Sequence, residues 1–256
     1  MKNIAILNSA LRPSGHFPLM RLGNKYDGGY LIDERQIGKV DALISLGVND
    51  DWSFERQFLK SNDCPAFCYD GSVSTSVFFT RLIKWLARPW RIPKILWSLK
   101  VIFDYRIFFS GARSHIKKFV GFDNREGCIS MHNLLEQYDQ SDNLFLKIDI
   151  EGHEYRCLDA ILSHQGRIKG LAIEFHNYDL FEDVIVDFVS KFQLNLCHVH
   201  VNNFGGTQLD GRPVSIELSF SDQLPLDNSS VEFPNKLDTP NNPVLEDLIV
   251  TFSEEV

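Results

Sequence analysis

A short apolar run that breaks into a cluster of acids constrains the fold of this chain most strongly. Residues 144–148 read Leu-Phe-Leu-Lys-Ile, and Asp149, Glu151 and Gly152 follow directly. Four apolar residues around one Lys predict a short buried strand. Gly152 permits a sharp turn, and a helix is predicted over residues 154–164. In open α/β sheets ligands bind at the carboxyl ends of the strands, so these acids mark a candidate reaction centre.

The rest of the chain alternates between strand and helix patterns around this stretch. Further strands are predicted at residues 41–46, 65–70, 117–122, 170–176, 194–201 and 213–220, and further helices at 52–61, 131–138 and 180–191. The last two strands are separated by a Gly-containing turn, which predicts an antiparallel pair. We therefore predict an α/β fold, and 256 residues suit a single domain with elaborations.

Three segments elaborate this predicted domain. A lead-in covers residues 1–40 and contains Asp27-Gly28-Gly29 between two apolar patches, which is a hairpin signal with Arg21 and Asp27 near the ligand edge. Residues 73–113 interrupt the alternation. Residues 221–256 are rich in Pro, Asn and Asp and predict an extended tail with little regular structure.

Charge and cysteine usage exclude several classes of protein. The net charge of −8 argues against general nucleic-acid binding, which depends on neutralising phosphates. The five cysteines are odd in number and form no CxxC pair, so reduced thiols are favoured over disulfides or zinc.

The first residues lack the long apolar run of a signal peptide, and no uncharged run has transmembrane length. We predict a cytoplasmic protein.

The first strand–loop–helix unit indicates a nucleoside-binding site. Gly47 opens the loop after the strand at 41–46, Asp50 or Asp51 can cap the next helix, and Asp70 ends the following strand. A carboxylate at this spacing suits ribose hydroxyls. Two acids at the helix start would repel a pyrophosphate, whereas they suit the cationic S-adenosylmethionine. The predicted cofactor-binding residues are Gly47, Asn49, Asp50, Asp70, Gly71 and Asp149.

The segment 73–113 mixes basic and aromatic residues. Between residues 73 and 118 the chain has ten Lys or Arg and one acid, Asp104. Pro89 and Pro93 predict a division into two helices. The composition suits peripheral contact with an anionic membrane at its inner face. A lid packed on the core, an oligomer contact and a holder for an acidic glycan are the alternatives.

With these segments placed, the chain resembles the FkbM-like branch of class I S-adenosylmethionine-dependent methyltransferases. The resemblance rests on Lys147-Ile-Asp-Ile-Glu-Gly-His-Glu154, the strand containing Glu174, the strand containing Glu217, and the lead-in 21–31. It implies a Rossmann-like sheet of seven mostly parallel strands with one antiparallel strand and helices on both faces. It also implies O-methyl transfer to sugars or polyketide-derived hydroxyls. The loop after Gly47 departs from the usual glycine-rich pattern.

The expected reaction is O-methylation of a sugar or cell-surface glycan. A hydroxyl becomes a good nucleophile once it loses its proton, so a base or a metal is expected. In one mechanism Asp149, Glu174 and His176 hold Mg²⁺ or Mn²⁺. In another, His153 or His176 accepts the proton directly. Asp149, His153 and His176 are therefore the candidate catalytic residues, and the predicted substrate-binding residues are Glu151, Glu174, His200 and Asn202.

Two other functions compete with this interpretation. A catalytically silent domain of the same fold could dock on a membrane or on a glycan-assembly partner, and the glycine-poor loop favours this alternative. An NAD-dependent oxidoreductase is disfavoured by the charge of that loop. Single residues also have structural alternatives: Glu151 or Glu154 could pair with Lys147 or Arg156, His200 could belong to a structural pair with His198, and Glu217 is expected to be a buried structural acid.

Overall fold

The computed structural model describes residues 4–229 and 231–253, and we number its strands and helices in chain order. The strands are β1 (Ile4–Leu7), β2 (Leu19–Gly23), β3 (Gly29–Asp33), β4 (Ala42–Leu46), β5 (Ala66–Tyr69), β6 (Arg113–Ile116), β7 (Phe119–Val120), β8 (Cys128–Ile129), β9 (Leu144–Ile148), β10 (Ile168–His176), β11 (Asn195–Thr207), β12 (Pro213–Ser221) and β13 (Ile249–Phe252). The α-helices are α1 (Ser53–Ser61), α2 (Thr75–Leu86), α3 (Ile92–Phe108), α4 (Met131–Glu136), α5 (Leu158–His164) and α6 (Tyr178–Lys191).

A seven-stranded sheet forms the centre of the protein, in the order β11-β12-β10-β9-β4-β5-β6. β10, β9, β4, β5 and β6 pair in parallel, and β12 is antiparallel to both of its neighbours. The central strands are buried along their whole length because helices or loops cover both faces of the sheet. The predicted Rossmann-like sheet with one antiparallel strand is confirmed.

The strand order reverses direction between β4 and β9. From β4 the chain continues to β5 on one side, and it later enters β9 on the other side. In doubly wound sheets a crevice opens at such a switch point, outside the carboxyl ends of the strands. The loops after β4, β5 and β9 therefore meet at one place, where the sequence pattern predicts the reaction centre.

The hairpin predicted in the lead-in forms from β2 and β3 and packs beside this crevice. The two strands pair antiparallel from Leu19–Asp33 to Gly23–Gly29. Tyr30 and Ile32 contribute to an apolar cluster with Phe54 and Phe58 of α1. Arg21 donates a hydrogen bond from Nη2 to the carbonyl of Tyr26 (2.9 Å), so it stabilises the turn of the hairpin.

The sheet edge beyond β5 differs from the sequence prediction. The edge strand is Arg113–Ile116, whereas residues 117–122, predicted as that strand, leave the sheet and contribute only the short β7. Edge strands tolerate polar residues, and Arg-Ser-His-Ile lacks the apolar pattern by which buried strands are recognised. The helix predicted over 154–164 is also divided, into a 3₁₀ turn at Glu154–Arg156 and α5.

The inserted segment forms the two predicted helices. Pro93 lies in the first turn of α3, where its missing N–H group has no helical partner to lose. Phe78 and Leu82 of α2 and Val101 and Phe108 of α3 pack with Trp52 in a separate apolar cluster. Within residues 4–229 and 231–253, no helix combines the length and apolar character needed to span a membrane. All five cysteines are free thiols.

The carboxyl-terminal tail is extended, but it is packed and contains a strand. β13 pairs in parallel with β1 to form a two-stranded sheet. Asn241 is 2% exposed, and its Nδ2 donates to Glu217 Oε1 (2.6 Å). Glu217 is thus the buried, hydrogen-bonded acid that the sequence predicts. The strand itself is absent from the sequence prediction because its partner lies some 240 residues away in the chain.

Two buried histidines of β11 bind the tail to the large sheet. His198 Nε2 lies 2.9 Å from Asp238 Oδ1, and His200 lies 3.3 Å from both Glu217 and Asp247. Burial lowers the pKa of His200, but the hydrogen bonds to Asp247 and Glu217 outweigh it and raise this pKa well above its usual value. The imidazolium form of His200 therefore stabilises the packing of the tail.

This arrangement predicts a pH-dependent stability. Because the pKa of His200 is raised on folding, its contribution is complete below the unfolded pKa of about 6.5 and is lost as pH rises through the folded pKa. Above a pH of about 6.5, the difference in the free energy of unfolding between the wild type and His200→Gln should shrink with rising pH, by at most about 1.4 kcal/mol per pH unit. Urea denaturation at pH 6, 8 and 9 measures it.

The exposed His132 provides the control for this measurement. Its ring contacts only the exposed Glu136 as an ion partner among the described residues, so His132→Gln should differ from the wild type by a small and nearly constant amount. If the deficit of His200→Gln stays constant or grows from pH 6 to 9, His200 does not stabilise the tail through its charge.

Candidate functional site

A cavity of about 470 Å³ opens at the carboxyl ends of β4, β5 and β9. Its lining includes all six of the predicted cofactor-binding residues: Gly47, Asn49, Asp50, Asp70, Gly71 and Asp149. Seven of its lining side chains are acidic and three are basic. The acids are Asp27, Asp50, Asp51, Glu55, Asp70, Asp149 and Glu151, and the bases are Arg81, Lys118 and Lys147.

Gly47 forms the tight turn at the end of β4. Its φ is +79°, and a Cβ atom at this position would lie 1.6 Å from the carbonyl oxygen of Asp149. The N–H of Gly47 donates to the carbonyl of Tyr69 (2.9 Å). The N–H of Asp149 donates to the carbonyl of Leu46 (3.0 Å). A single glycine thus lets the loops after β4 and β9 touch, although the loop lacks the further glycines of a dinucleotide site.

Asp70 holds the loop after β4 from the neighbouring strand. Its Oδ2 accepts from the N–H of Asn49 (2.8 Å), and its Oδ1 accepts from the N–H and hydroxyl of Ser72 (2.7 and 2.6 Å). A carboxylate oxygen can accept two hydrogen bonds, so Oδ2 retains capacity for a ligand hydroxyl. Gly71 follows, and a Cβ there would lie 2.4 Å from the ring of Phe119, which places an aromatic wall beside Asp70.

The two acids of this loop have separate partners. Asp50 Oδ2 forms an ion pair with Arg81 Nη1 of α2 (3.0 Å), so the inserted helices contact the loop directly. Asp51 Oδ1 accepts from the N–H of Ser53 (2.9 Å), the first residue of α1, whereas the N-cap position predicted for Asp50 or Asp51 is occupied by Trp52, whose side chain makes no capping bond. Arg81 reduces the negative charge at Asp50, an effect that the sequence prediction omitted because the two residues lie far apart in the chain.

Lys147 is the buried cation beneath the acidic cavity. It is 5% exposed, and its ammonium donates to the carbonyl of Gly47 (3.0 Å) and lies 3.5 Å from Asp149 Oδ2. Burial lowers the pKa of Lys147, but the charges of Asp149 and Glu55 raise it above its usual value. The ammonium is therefore charged, and it stabilises the carboxylates packed around it.

Asp149 faces the cavity with one of its oxygens engaged. Its Oδ2 accepts from the hydroxyl of Tyr30 (3.2 Å) and receives the contact from Lys147. Among the described residues no hydrogen bond is made to its Oδ1, which is the oxygen left for a ligand. The sequence pattern does not mark Tyr30 as a site residue, and its place after Asp27-Gly28-Gly29 is the one local signal for it.

Glu154 fixes the turn that follows Asp149. Its fully buried carboxylate accepts from the N–H groups of Ile150 and Gly152 (3.0 and 3.1 Å) through Oε1. Glu151 lies between these donors with φ +55°, a left-handed conformation that the two hydrogen bonds help to hold. Glu154 thus binds two backbone N–H groups and His176, and not Lys147 or Arg156, which were the alternative partners, and it supports the residues that line the cavity.

His176 lies among carboxylates at the end of β10. Its Nδ1 is 3.1 Å from Glu154, and its Nε2 is 3.5 Å from Glu151 and 3.8 Å from Glu174. Burial lowers the pKa of His176, but the hydrogen bond with Glu154 and the charge of Glu174 raise it to about 9. His176 therefore carries its proton at neutral pH, which disfavours the prediction that it acts as a general base.

The predicted metal ligands are only partly brought together. Ligand atoms of Asp149, Glu151 and His176 lie within 4.8 Å of one another. Glu174 instead accepts a hydrogen bond from Asn202 (2.8 Å), and burial together with the charge of Asp149 raises its pKa well above the usual value. Glu174 is not one of these three residues, and the imidazolium of His176 already supplies a cation among the acids.

The other predicted site residues occupy different environments. His153 lines the cavity, where its ring packs on that of Phe122 (4.3 Å between centroids). Glu174, His200 and Asn202 are buried and are absent from the described lining of the cavity. His200 bonds with the tail, and Asn202 bonds with Glu174. The prediction that these three bind substrate has no support in this geometry, because their polar groups already have protein partners.

Comparisons with known proteins find structural similarity alone. No protein-family model matches the chain, and no curated protein matches it. Solved structures similar to this chain include an rRNA methylase from Streptococcus thermophilus, with 11% identity, a TM-score of 0.37, and coverage of 74% of this chain and 91% of the other. A precorrin-6y C5,15-methyltransferase from Geobacter metallireducens GS-15 has 11% identity and a TM-score of 0.39, covering 73% and 84%.

A third similar structure is a putative tRNA (m1A22) methyltransferase from Streptococcus pneumoniae in complex with S-adenosyl-L-methionine. It has 9% identity and a TM-score of 0.39, and the match covers 73% of this chain and 69% of the other. At such TM-scores these similarities assign neither a substrate nor a site residue to this chain. The resemblance to the FkbM-like branch stays a prediction.

The contact between Gly47 and Asp149 yields a mutational test. Gly47→Ala should lower the free energy of unfolding by several kcal/mol, because its Cβ would overlap the carbonyl of Asp149 and displace the loop. Gly38→Ala is the matched control: its φ is +77°, and a Cβ atom added there would point into open space, with no contact within 4 Å. The free energy of unfolding of Gly38→Ala should fall by only about 1–2 kcal/mol, which is the cost of holding an alanine in the left-handed conformation.

Denaturation of the two variants under the same conditions separates the effect of the steric contact on stability from the effect of the backbone conformation, since both positions have nearly the same φ. Equal losses of stability in Gly47→Ala and Gly38→Ala would show that the loops after β4 and β9 do not touch as described.

Proposed function

We propose that this protein is an S-adenosylmethionine-dependent methyltransferase that transfers a methyl group to a hydroxyl of a sugar or glycan. The observation that carries the proposal is the acid-lined cavity at the switch point of the sheet, between the ends of β4, β5 and β9. Seven acids against three bases favour a cationic ligand and oppose a pyrophosphate.

The residues present suit each part of the methyl donor. The free acceptor capacity on Asp70 Oδ2 suits a ribose hydroxyl. The aromatic rings of Phe119 and Phe122 line the same cavity and suit a flat base. The carboxylate of Asp27, which lines the cavity, suits the ammonium group. When bound, the donor supplies a methyl group activated by its sulfonium.

The chain itself must bind the acceptor oxygen and take up its proton. Because His176 is protonated at neutral pH and His153 packs against Phe122, we assign the proton-accepting role to the carboxylate of Asp149. Its Oδ1 is the oxygen without a described partner, and Tyr30 and Lys147 orient the group through Oδ2. Asp149 would take up the proton of the acceptor hydroxyl as that oxygen displaces the methyl carbon from the sulfonium, whose carbon–sulfur bond would break to leave a neutral thioether.

In this account a divalent metal is not required. Asp149, Glu151 and His176 could present three ligand atoms to Mg²⁺ or Mn²⁺, but coordination would require His176 to lose a proton that the surrounding carboxylates bind tightly. The imidazolium already compensates the charge of these acids. Mg²⁺ also prefers oxygen ligands to imidazole, which further disfavours this set.

The acceptor class follows from charge. The similar solved structures include RNA methylases, but the acidic rim of this cavity and the net charge of −8 oppose a phosphate backbone. A neutral hydroxyl-bearing acceptor meets no such repulsion. A sugar is therefore preferred to RNA, in agreement with the resemblance to the FkbM-like branch.

Calorimetry with S-adenosylmethionine tests the proposed cofactor. The wild type should bind it, and Asp70→Ala should weaken binding on the order of 10- to 100-fold, the effect of losing a hydrogen bond to a charged group. Asp63→Ala, at the opposite end of the same strand segment, is the matched control and should bind as the wild type. NADH should not bind.

Two outcomes would contradict this proposal. If the wild type fails to bind at millimolar S-adenosylmethionine, the chain is a silent domain of this fold and only the docking alternative remains. If Asp63→Ala and Asp70→Ala bind equally well, the ribose does not lie on Asp70. The melting temperature of each variant without ligand detects misfolding, since Asp70 also bonds with Asn49 and Ser72.

Transfer of an isotope-labelled methyl group tests the acceptor and the base together. The label should enter a polysaccharide fraction as a sugar methyl ether and should not enter RNA. Asp149→Asn keeps the shape of the side chain but loses the base, so turnover should fall on the order of 100-fold with a smaller change in cofactor affinity. EDTA should leave turnover unchanged.

The controls identify which part of the account fails. Glu136→Gln removes an exposed acid that is not among the residues lining the cavity, and it should retain full turnover. Label in RNA would overturn the acceptor class, and full activity of Asp149→Asn would overturn its role as the base. Loss of turnover in EDTA with recovery in Mg²⁺ or Mn²⁺ would favour the metal mechanism instead.

A further inference from the structure

The hairpin of α2 and α3 has two apolar faces, of which only one is covered. The inner face packs on Trp52 through Phe78, Leu82, Val101 and Phe108. It is fixed there by Asp104, whose carboxylate accepts from Trp52 Nε1 (2.9 Å) and from the guanidinium of Arg56 (2.6 and 2.7 Å). The hairpin is therefore a firmly attached part of the domain and not a loose appendage.

The second apolar face points to solvent along the whole of α3. We call it the outer face and define it as Trp90, Ile92, Leu96, Leu99, Phe103 and Ile107. The α3 members recur at intervals of four, three, four and four residues, which places them on one side of the helix. Their exposure is large for apolar side chains: Phe103 is 69% exposed, Leu96 61%, and Trp90 at the tip 73%.

The adjoining helix adds to this exposed apolar surface. Phe79, Ile83 and Leu86 of α2 also share one side of their helix and are exposed. The α3 stripe alone runs along the length of the helix, and a contiguous exposed apolar stripe on a protein indicates contact with a partner or a membrane. Trp97 is 45% exposed and lies on α3 outside this stripe, whereas Leu180 and Leu209 are exposed in separate parts of the fold.

The charge around the outer face selects its partner. At about 100° per residue, Lys100 and Arg106 fall on opposite sides of the α3 stripe, each about 60° from its centre. Lys84, Arg88, Arg91 and Lys94 add exposed positive charge at the tip and on α2. The one acid of residues 73–118, Asp104, is already bonded with Arg56 and Trp52. An apolar stripe bordered by bases matches the layered chemistry of anionic lipid, with acyl chains below phosphate headgroups.

A second copy of this chain fits the same surface less well. A twofold interface brings identical surfaces together, so Lys100 and Arg106 of both copies would lie against one another and repel. A bilayer supplies the apolar and the anionic component together. α3 has 17 residues and a length of about 25 Å, so it can lie along a bilayer surface without crossing it.

We propose that the outer face docks the protein on the surface of an anionic phospholipid membrane, with α3 lying in the interface. This proposal does not depend on the methyltransferase activity. It rests on the exposure of the apolar stripe and on the bases that border it, and the ion pair between Arg81 and Asp50 would connect the docked hairpin with the loop of the cavity.

Vesicle flotation with the full chain tests the proposal. The protein should float with vesicles of phosphatidylcholine and phosphatidylglycerol at low salt, and the bound fraction should fall at least severalfold at 0.5 M NaCl or with phosphatidylcholine alone. Leu96→Glu combined with Phe103→Glu should lower the partition coefficient at least tenfold. Lys100→Gln combined with Arg106→Gln should weaken binding to anionic vesicles without affecting weak binding to neutral ones.

Leu180→Glu combined with Leu209→Glu is the matched control, since both residues are exposed leucines outside the hairpin. It should float as the wild type does, and unchanged melting temperatures establish that all variants fold. Wild-type protein that stays in the aqueous fraction at low salt would overturn the proposal. So would normal flotation of Leu96→Glu/Phe103→Glu. A dimer in sedimentation that this variant dissociates, without flotation of the wild type, would assign the outer face to a second copy.

Discussion

The buried ammonium of Lys147 is the charge on which the acidic end of the sheet depends. Glu55 and Asp149 lie close to it, and its hydrogen bond to the carbonyl of Gly47 connects β9 with the loop after β4. Buried carboxylates without such a partner would take up protons and lose their charge. Burial raises the pKa of Glu55 and of Asp27, and the charge of Lys147 opposes this rise at both carboxyl groups, so an acid-lined cavity can exist inside a folded domain.

On the neighbouring strand β10, a protonated histidine supplies the positive charge among the carboxylates. His176 bonds with Glu154 and approaches Glu151 and Glu174, and these acids keep it protonated. These contacts give different roles to the polar residues that follow β9 and end β10, although they look equivalent in the sequence. His176 balances charge, Glu154 holds the turn, and Asp149 lines the cavity with one oxygen that no described residue bonds.

The buried framework could be predicted from the sequence, whereas long-range polar contacts could not. β4, β9 and β10 are largely apolar runs buried on both faces, so their pattern is unambiguous, and acids at the ends of such parallel strands must converge. β6 was misplaced because an edge strand needs no apolar pattern. β13 was missed because its partner β1 lies at the other end of the chain.

The site residues also divide into those that the local sequence pattern predicts and those that depend on long-range contacts. Asp70 and Asp149 could be predicted because their position after a strand determines where they lie. The roles of Tyr30, Glu154 and His176 depend on hydrogen bonds between segments 20 to 120 residues apart or on the shape of one turn, which no local pattern encodes. The apolar residues of α3 occupy opposite sides of the helix, so the sequence alone could not separate its covered face from its outer face.

The central claim is that the acid-lined cavity receives a cationic nucleoside cofactor. A crystal structure of the full chain grown with S-adenosylmethionine tests it most directly. We expect the ribose hydroxyls on Asp70, the base beside Phe119 and the amino-acid portion near Gly47 and Asp149. A cofactor bound at any other place, or a cavity that stays without it at millimolar concentration, would contradict the account.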